Sequence, residues 1–367
     1  MLGRGIFTKH GSQWCPTKEI WVKQGGVWCP VKKVYVKVEG QWCLCFPPGG
    51  FCSYNLSEFL RDFTIGYSGG LTPTESPSCL IFHQQMHADY ETTNIEVFDT
   101  DGNYIKTACE STGWPQCVRK IEDRIWFSYT EAEYAGFYSI PWDETLQIYP
   151  ATARDEVIID YNWDVKQSPD GKIFICGAEG MWGEHKISYV DGNNTIPIIE
   201  IGGNSCGFDF DNEGNLWAGE YVLGFSPSMH IEPCRIGMWT KEAIDSALAG
   251  ATLDWSDASV VIGLGALTIE DQSCNWGPND IEADSQGNIY VSMNTYSSWG
   301  DSSEYGRIVK YYPDGEGGYA MDVIWEAEQR INKWDWVRNL AIDGSNLLTH
   351  LDMTQCNDID RCEVIQI

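Results

Sequence analysis

The chain reads as an all-β protein: a small N-terminal module of β-hairpin repeats followed by a six-bladed β-propeller. Three observations predict this. Trp14, Trp28 and Trp42 stand fourteen residues apart and head near copies of one segment, with Gly25-Gly26 and Gly40 as turns. A longer unit then recurs: a strand, a turn of Asp or Asn with Gly, and a second strand. The composition, with 17 Trp, 18 Tyr, 13 Phe and 37 Gly, favours strands and turns over helices.

Residues 1–46 form the repeat module. Trp21-Val22-Lys23 and Val34-Tyr35-Val36-Lys37 alternate with period two and run into the glycine turns. Hairpins of this size bury no core alone, so the module must lean on another surface. It carries seven basic residues against Glu19 and Glu39, a local +5, while the whole chain carries −29. One reading is a basic arm that docks on an acidic surface; the other is lysine guarding exposed strand edges. The candidate anchoring residues are Trp14, Trp21, Trp28, Tyr35, Trp42, Lys18, Lys32 and Lys33.

Pro47-Pro48-Gly49-Gly50 opens a linker over residues 47–62, in which 53–62 suit a short helical turn. The propeller is assigned to residues 63–367. Its clearest inner-strand pairs run Asp164–Cys176, Cys206–Ala218 and Asn279–Val291, with weaker copies at Cys117–Tyr129 and Val337–Leu351. A degenerate first copy surrounds Leu80-Ile81-Phe82, so counts of five and seven blades stay open. Outer strands recur at Asn94–Phe98, Gly136–Ile140, His185–Tyr189, Cys234–Met238 and Gly306–Tyr311, several ending in Asp-Gly turns. Units of four short strands every forty to fifty residues mean a propeller. Thr240 is placed to cap a helix running to Leu248. The last unit shows three strands, so a strand around Phe63–Tyr67 is expected to complete the ring.

The net charge speaks against binding nucleic acid or anionic membranes. No stretch is long and apolar enough to insert in a membrane, and Met1–Phe7 lacks the apolar run of a leader. Fourteen cysteines without C-x-x-C spacing point to disulfides rather than zinc, with buried thiols as the alternative. The disulfide candidates are Cys15, Cys29, Cys43, Cys45, Cys52, Cys79, Cys109, Cys117, Cys206, Cys234, Cys274, Cys356 and Cys362.

Among candidate sites, Trp114, Trp163, Trp276, Trp334 and Trp336 fall just before innermost strands and would gather at one mouth of the channel. Indole faces beside Asp and Asn suit a glycan; the structural reading is wedges between blades. Asp209–Gly214 resembles a calcium loop but reads better as turn chemistry. Asn279-Asp280, with Asn162 and Asn339, is the alternative cation site. No nucleophile elbow, phosphate loop or H-E-x-x-H is present.

The fourteen-residue repeat resembles the short repeats of tailed-bacteriophage virion proteins, minor tail and fibre proteins among them, though here Cys follows each Trp. The longer repeat, through its Asp-x-x-Gly-Asn turns, resembles NHL-type six-bladed propellers. The resemblance implies a non-enzymatic structural protein of the virion, made in a host cytoplasm and released. Its partners would be other virion proteins, further copies of itself and a host-surface glycan, with no cofactor. The alternative is a metal-dependent propeller hydrolase or lyase of gluconolactonase-like type.

Overall fold

The computed structural model describes residues 7–10, 13–16, 21–24, 27–30, 34–38, 41–46, 52, 54 and 65–367, apart from 75–77, 88–91, 131–134, 143–153, 160, 179–183, 193, 222–233, 270–271, 297–304, 328–335 and 353–360.

The N-terminal repeats form three separate hairpins: β1 (Phe7–His10) with β2 (Gln13–Pro16), β3 (Trp21–Gln24) with β4 (Val27–Pro30), and β5 (Val34–Val38) with β6 (Gln41–Phe46). Their registers repeat: Trp14 stands opposite Lys9, Trp28 opposite Lys23 and Trp42 opposite Lys37. Trp21 and Tyr35 lie in β3 and β5. Lys18, Lys32 and Lys33 lie outside the described residues, as does the short helical turn expected over 53–62, Tyr54 excepted.

Six antiparallel sheets follow. Blade one is β7 (Ile65–Pro73), β8 (Ile81–His87), β9 (Thr92–Phe98) and β10 (Tyr104–Thr112). Blade two is β11 (Trp114–Ile121), β12 (Arg124–Thr130), β13 (Gly136–Pro141) and β14 (Arg154–Ile158). Blade three is β15 (Tyr161–Gln167), β16 (Ile173–Ala178), β17 (Lys186–Asp191) and β18 (Asn194–Glu200). Blade four is β19 (Asn204–Phe210), β20 (Leu216–Tyr221), β21 (Arg235–Trp239) and β22 (Val260–Gly263), with α1 (Lys241–Leu248) between its last two strands. Blade five is β24 (Gln272–Ala283), β25 (Ile289–Tyr296), β26 (Gly306–Pro313) and β27 (Tyr319–Glu326), and β23 (Ala266–Ile269) folds back on the start of β24. Blade six is β28 (Trp336–Asp343), β29 (Asn346–Asp352) and β30 (Arg361–Gln366).

The innermost strands β7, β11, β15, β19, β24 and β28 lie side by side in that order, and β28 lies against β7, so the ring closes. The core is divided between the blades. One apolar cluster joins blades one and two through Phe82, Val97, Val118 and Phe127. Others fill the next four seams. Leu71, Ile81 and Phe98 meet Ala341 and Leu348 at the closure.

The expected closure does not occur. Residues from Ile65 onward form the innermost strand of blade one rather than an outer strand of blade six. The reason is alternation within β7: Leu71 is fully buried in the closing seam and Thr72 faces the channel, a pattern that only an innermost position satisfies. A strap reinforces the seam instead. Cys52 is disulfide-bonded to Cys79 in blade one. Its backbone N–H donates to Asp343 Oδ2 at 3.1 Å and its carbonyl accepts from Asn346 Nδ2 at 3.0 Å, both in blade six. Tyr54 Oη donates to the same Asp343 oxygen at 2.8 Å.

Other disulfide candidates are corrected. Cys109, Cys117 and Cys234 are buried thiols, as is Cys176. Cys109, Cys117 and Cys234 each pack into a different seam, among aliphatic and aromatic side chains. Burial pushes the Cys109 thiol up to about 11 and that of Cys117 to about 12. Cys15, Cys29, Cys43, Cys45, Cys206, Cys274 and Cys362 lie in strands, but their side chains, like all of Cys356, fall outside the described residues.

The Asp-Gly turns are self-contained. Asp211 Oδ1 accepts from the backbone of Glu213 and Asn215, and its Oδ2 from Asn215 Nδ2. Asp284 repeats this with Gln286 and Asn288, and Asp99 with Asp101 and Asn103. The carboxylate of Asp211 is thereby committed to its own turn. Thr240 caps α1, its side chain accepting from Ala243 N–H at 3.3 Å.

Candidate active site at the loop end of the channel

Each innermost strand repeats a fully buried apolar residue followed by one that faces the channel, and in β15, β19, β24 and β28 the residue before the buried one faces it too. The buried positions are Leu71, Val118, Val165, Phe208, Ile281 and Leu340. The residues after them are Thr72, Arg119, Lys166, Asp209, Glu282 and Ala341, which line one cavity together. One strand-step earlier stand Asp164, Gly207, Asp280 and Asn339, which line another. The channel is thus two cavities back to back. One, of about 430 Å³, opens where the hairpin turns leave the innermost strands. The other, of about 110 Å³, opens where chain from the preceding blade enters.

All six innermost strands carry a β-bulge at this loop end. The extra residue is Gly69, Gln116, Trp163 or Asn279 in four of them; in β19 and β28 the irregular stretch contains Gly207 and Asn339. A bulge turns a side chain away from the strand's alternation, which is why such irregularities cluster at functional sites. Here the turned residues Gln116, Trp163, Gly207, Asn279 and Asn339 form the wall of the smaller cavity. Two glycines keep it open. A Cβ at Gly207 would lie 2.0 Å from Asp280 Oδ1, and one at Gly70, whose φ is +97°, would lie 1.9 Å from Asn339 Oδ1.

Arg119 forms the floor. Its Nε donates to Asp164 Oδ1 at 2.8 Å and its Nη2 to Asp164 Oδ2 at 3.1 Å. Nη2 also reaches both oxygens of Asp280, at 2.9 and 2.8 Å, and Nη1 donates to the Leu340 carbonyl at 2.9 Å. Below, Lys166 Nζ bonds Glu282 Oε1 and lies 3.9 Å from Asp209 Oδ2. Two cations thus face four carboxylates. Burial pushes the Asp280 carboxyl up to about 6, against the pull of Arg119. It also raises Glu282 and Asp209, while Lys166 lies between them.

The two upper carboxylates differ in what they leave open. Asp280 Oδ1 accepts from Ile281 N–H and Oδ2 from Leu340 N–H, besides Arg119, so its four in-plane acceptor positions are taken. Asp164 Oδ1 accepts from Arg119 and from Val165 N–H, while its Oδ2, among the described residues, bonds only Arg119. One acceptor position of Asp164, a residue of the cavity lining, is therefore left without a partner among the described residues. Gln116 Oε1 and Trp163 Nε1 are buried beside it with no hydrogen-bond partner among the described residues.

The aromatic rim divides. Trp163 lines the cavity, half-buried, its ring 5.9 Å from that of His185. Trp276 is buried between blades four and five, with the Arg307 guanidinium 3.9 Å over its ring. Trp114 opens β11 opposite Thr130 and does not line the cavity. Trp334 and the side chain of Trp336 fall outside the described residues. Arg119, Gln116 and the tier of two cations followed by two carboxylates were not anticipated from sequence. Their signal was the charged residue following each buried apolar one in Val118-Arg119, Val165-Lys166, Phe208-Asp209 and Ile281-Glu282.

No family model matches the chain, and no curated protein matches it. Solved structures do. A gluconolactonase from Xanthomonas campestris aligns with TM-score 0.50 at 10% identity, over 86% of this chain and 97% of its own. Regucalcin, a calcium-binding protein from Agrobacterium tumefaciens, aligns with TM-score 0.51 at 12% identity, over 86% and 94%. An α-L-arabinanase from Penicillium chrysogenum, solved with arabinobiose, aligns with TM-score 0.51 at 10% identity, over 85% and 97%. Identities this low show the fold alone. The expectation of a non-enzymatic chain is nevertheless overturned, since two of these three same-fold proteins are enzymes. None of the three belongs to a virus particle, so the phage resemblance of the repeats gains no support.

A calcium ion of the kind regucalcin binds does not fit the loop-end residues as they stand. A hard cation needs six or more oxygen ligands, several of them carboxylate. Both carboxylates here are already gripped by one guanidinium.

Proposed function

We propose that this propeller is a hydrolase of a small sugar-derived substrate, a lactone or a short glycoside, acting at the loop-end cavity. The carrying observation is the ring of bulges, which turns Gln116, Trp163, Asn279 and Asn339 inward over a carboxylate with an open acceptor position. A polyhydroxylated ring matches that wall: its apolar face covers an indole while its hydroxyls meet amides. Gln116 Oε1 would accept a hydrogen bond from a hydroxyl, and Trp163 Nε1 would donate one to a ring or hydroxyl oxygen. Asp164 Oδ2 is the group placed to take a proton from an attacking water. Arg119 fixes Asp164 in direction. The shared fold of a gluconolactonase and an arabinanase supports a hydrolytic reading without specifying the substrate.

The N-terminal hairpins serve, in this reading, as an attachment module for a partner surface, because each is too small to stand alone.

The test is turnover of aldonolactones and arabino-oligosaccharides by the full chain. Asp164→Asn should lower kcat at least about 100-fold with binding retained. Trp163→Ala should chiefly raise KM. A folded wild-type protein that neither binds nor turns over any lactone or glycoside at millimolar concentration would dismiss the proposal.

A further inference from the structure

Asp164 and Asp280 reach the same point of the channel from blades three and five. Left alone, two carboxylates in a water-poor space would repel, and one would take up a proton. Arg119 opposes this. It spans the channel from blade two, bonds both carboxylates and the Leu340 carbonyl of blade six, and has Glu282 Oε1 3.4 Å from Nη1. It is 5% exposed. One planar group thus collects oxygen atoms from three other blades, within the distances at which each could instead face a metal ion.

We propose that Arg119 is the resident cation of this channel. Its guanidinium holds the carboxylates of Asp164 and Asp280 together and makes the loop-end site independent of divalent metal. With the guanidinium removed, Asp164, Asp280, Glu282 and the Leu340 carbonyl would be left around the vacated space, oxygens that a hard cation with its own waters could take instead. The shape of the group explains the choice of residue. A planar fork grips two carboxylates at once, which a lysine ammonium, as a point charge, does not. Glycine at 207 completes the arrangement, because any side chain there would displace Asp280 from the guanidinium. The inference stands apart from the hydrolase reading, and its test uses no turnover.

The experiment titrates Mn²⁺ into the full chain, followed by electron paramagnetic resonance, with thermal unfolding in EDTA, Mn²⁺ and Ca²⁺. The proteins are wild type, Arg119→Ala, Arg119→Lys and Asp280→Asn. Asp280→Asn corrects for weak binding to the acidic surface. Wild type should bind no more Mn²⁺ than Asp280→Asn and unfold at the same temperature in EDTA and in metal. Arg119→Ala should unfold at least about 5 °C lower in EDTA, bind one additional Mn²⁺ and recover most of the loss in Mn²⁺ or Ca²⁺. Arg119→Lys should be destabilised without gaining metal binding. Mn²⁺ bound to wild type and lost in Asp280→Asn would overturn the inference. So would a folded Arg119→Ala that metal neither binds nor stabilises. Should Arg119→Ala fold only when metal is supplied, the inference is supported; should it fold under neither condition, the wild-type and Arg119→Lys titrations decide.

Discussion

His185 is fully buried, and neither ring nitrogen finds a hydrogen-bond partner among the described residues. Burial alone lowers its imidazole to about 4 from an ordinary value near 6.5. In the window between those values the unfolded chain binds a proton that the folded chain refuses. Stability therefore falls as pH drops from about 6.5 to about 4, by up to about 3 kcal/mol for a shift of this size. Asp280 acts in the opposite sense: its raised carboxyl keeps a proton in the folded state, so its contribution is lost as pH rises from about 4 to about 6. His185→Leu should be neutral or stabilising at pH 7, since an unsatisfied polar group is removed. Its advantage over wild type should widen toward pH 4, as read from urea midpoints; parallel pH profiles would refute the assignment. The same scale shows why the site was only partly legible. Trp163, Asn279, Asp280 and Asn339 stood out because Trp beside Asp and Asn is conspicuous in a sequence. Arg119 did not, because an isolated arginine in Cys117-Val118-Arg119-Lys120 looks like any exposed strand residue until five other strands surround it. The bulges were invisible for the same reason: they are defined only by the register of a partner strand.

At the level of elements, the turns were the most legible part. Asp284 shows why a short motif can specify a hairpin: it takes the backbone of Gln286 and Asn288, the Asn288 amide and the Tyr290 hydroxyl, while Gly287 supplies φ of +82°. Asp284→Ala should cost about 2–3 kcal/mol, because Tyr290 sits in the core and loses its partner. Asp314→Ala, at an exposed turn of the same kind between β26 and β27, should cost clearly less. Equal losses in chemical denaturation would count against this account. The outer strands and the capped helix were also readable, since period-two alternation and an N-cap are local signals. The role of Ile65–Pro73 was not. A nine-residue strand with Gly69-Gly70 carries a weak pattern, and its innermost place follows from seams with blades that lie far off in sequence.

Among the described residues the ring closes without any strand borrowed by one blade from another. Its last seam depends on Leu71, Ile81, Phe98, Ala341 and Leu348, and on the Cys52 strap. The disulfide closes a loop of 27 residues in sequence, for which about 2–4 kcal/mol is the usual stabilisation. Cys79→Ser, or reduction of wild type, should lower the midpoint of unfolding accordingly. Hydrogen exchange should then speed up first in β7 and β28, the strands that meet at the seam. Unchanged exchange in both strands would show that the strap does not hold the closure.

The two back-to-back cavities have a kinetic consequence. Arg119 and its carboxylates wall off the axle of the wheel, so the molecule is a pair of cups rather than a tube. Whatever settles into the shallow cup must leave by the way it came. Arrival and departure then compete for one doorway, and a bulky neighbour parked there would slow both alike.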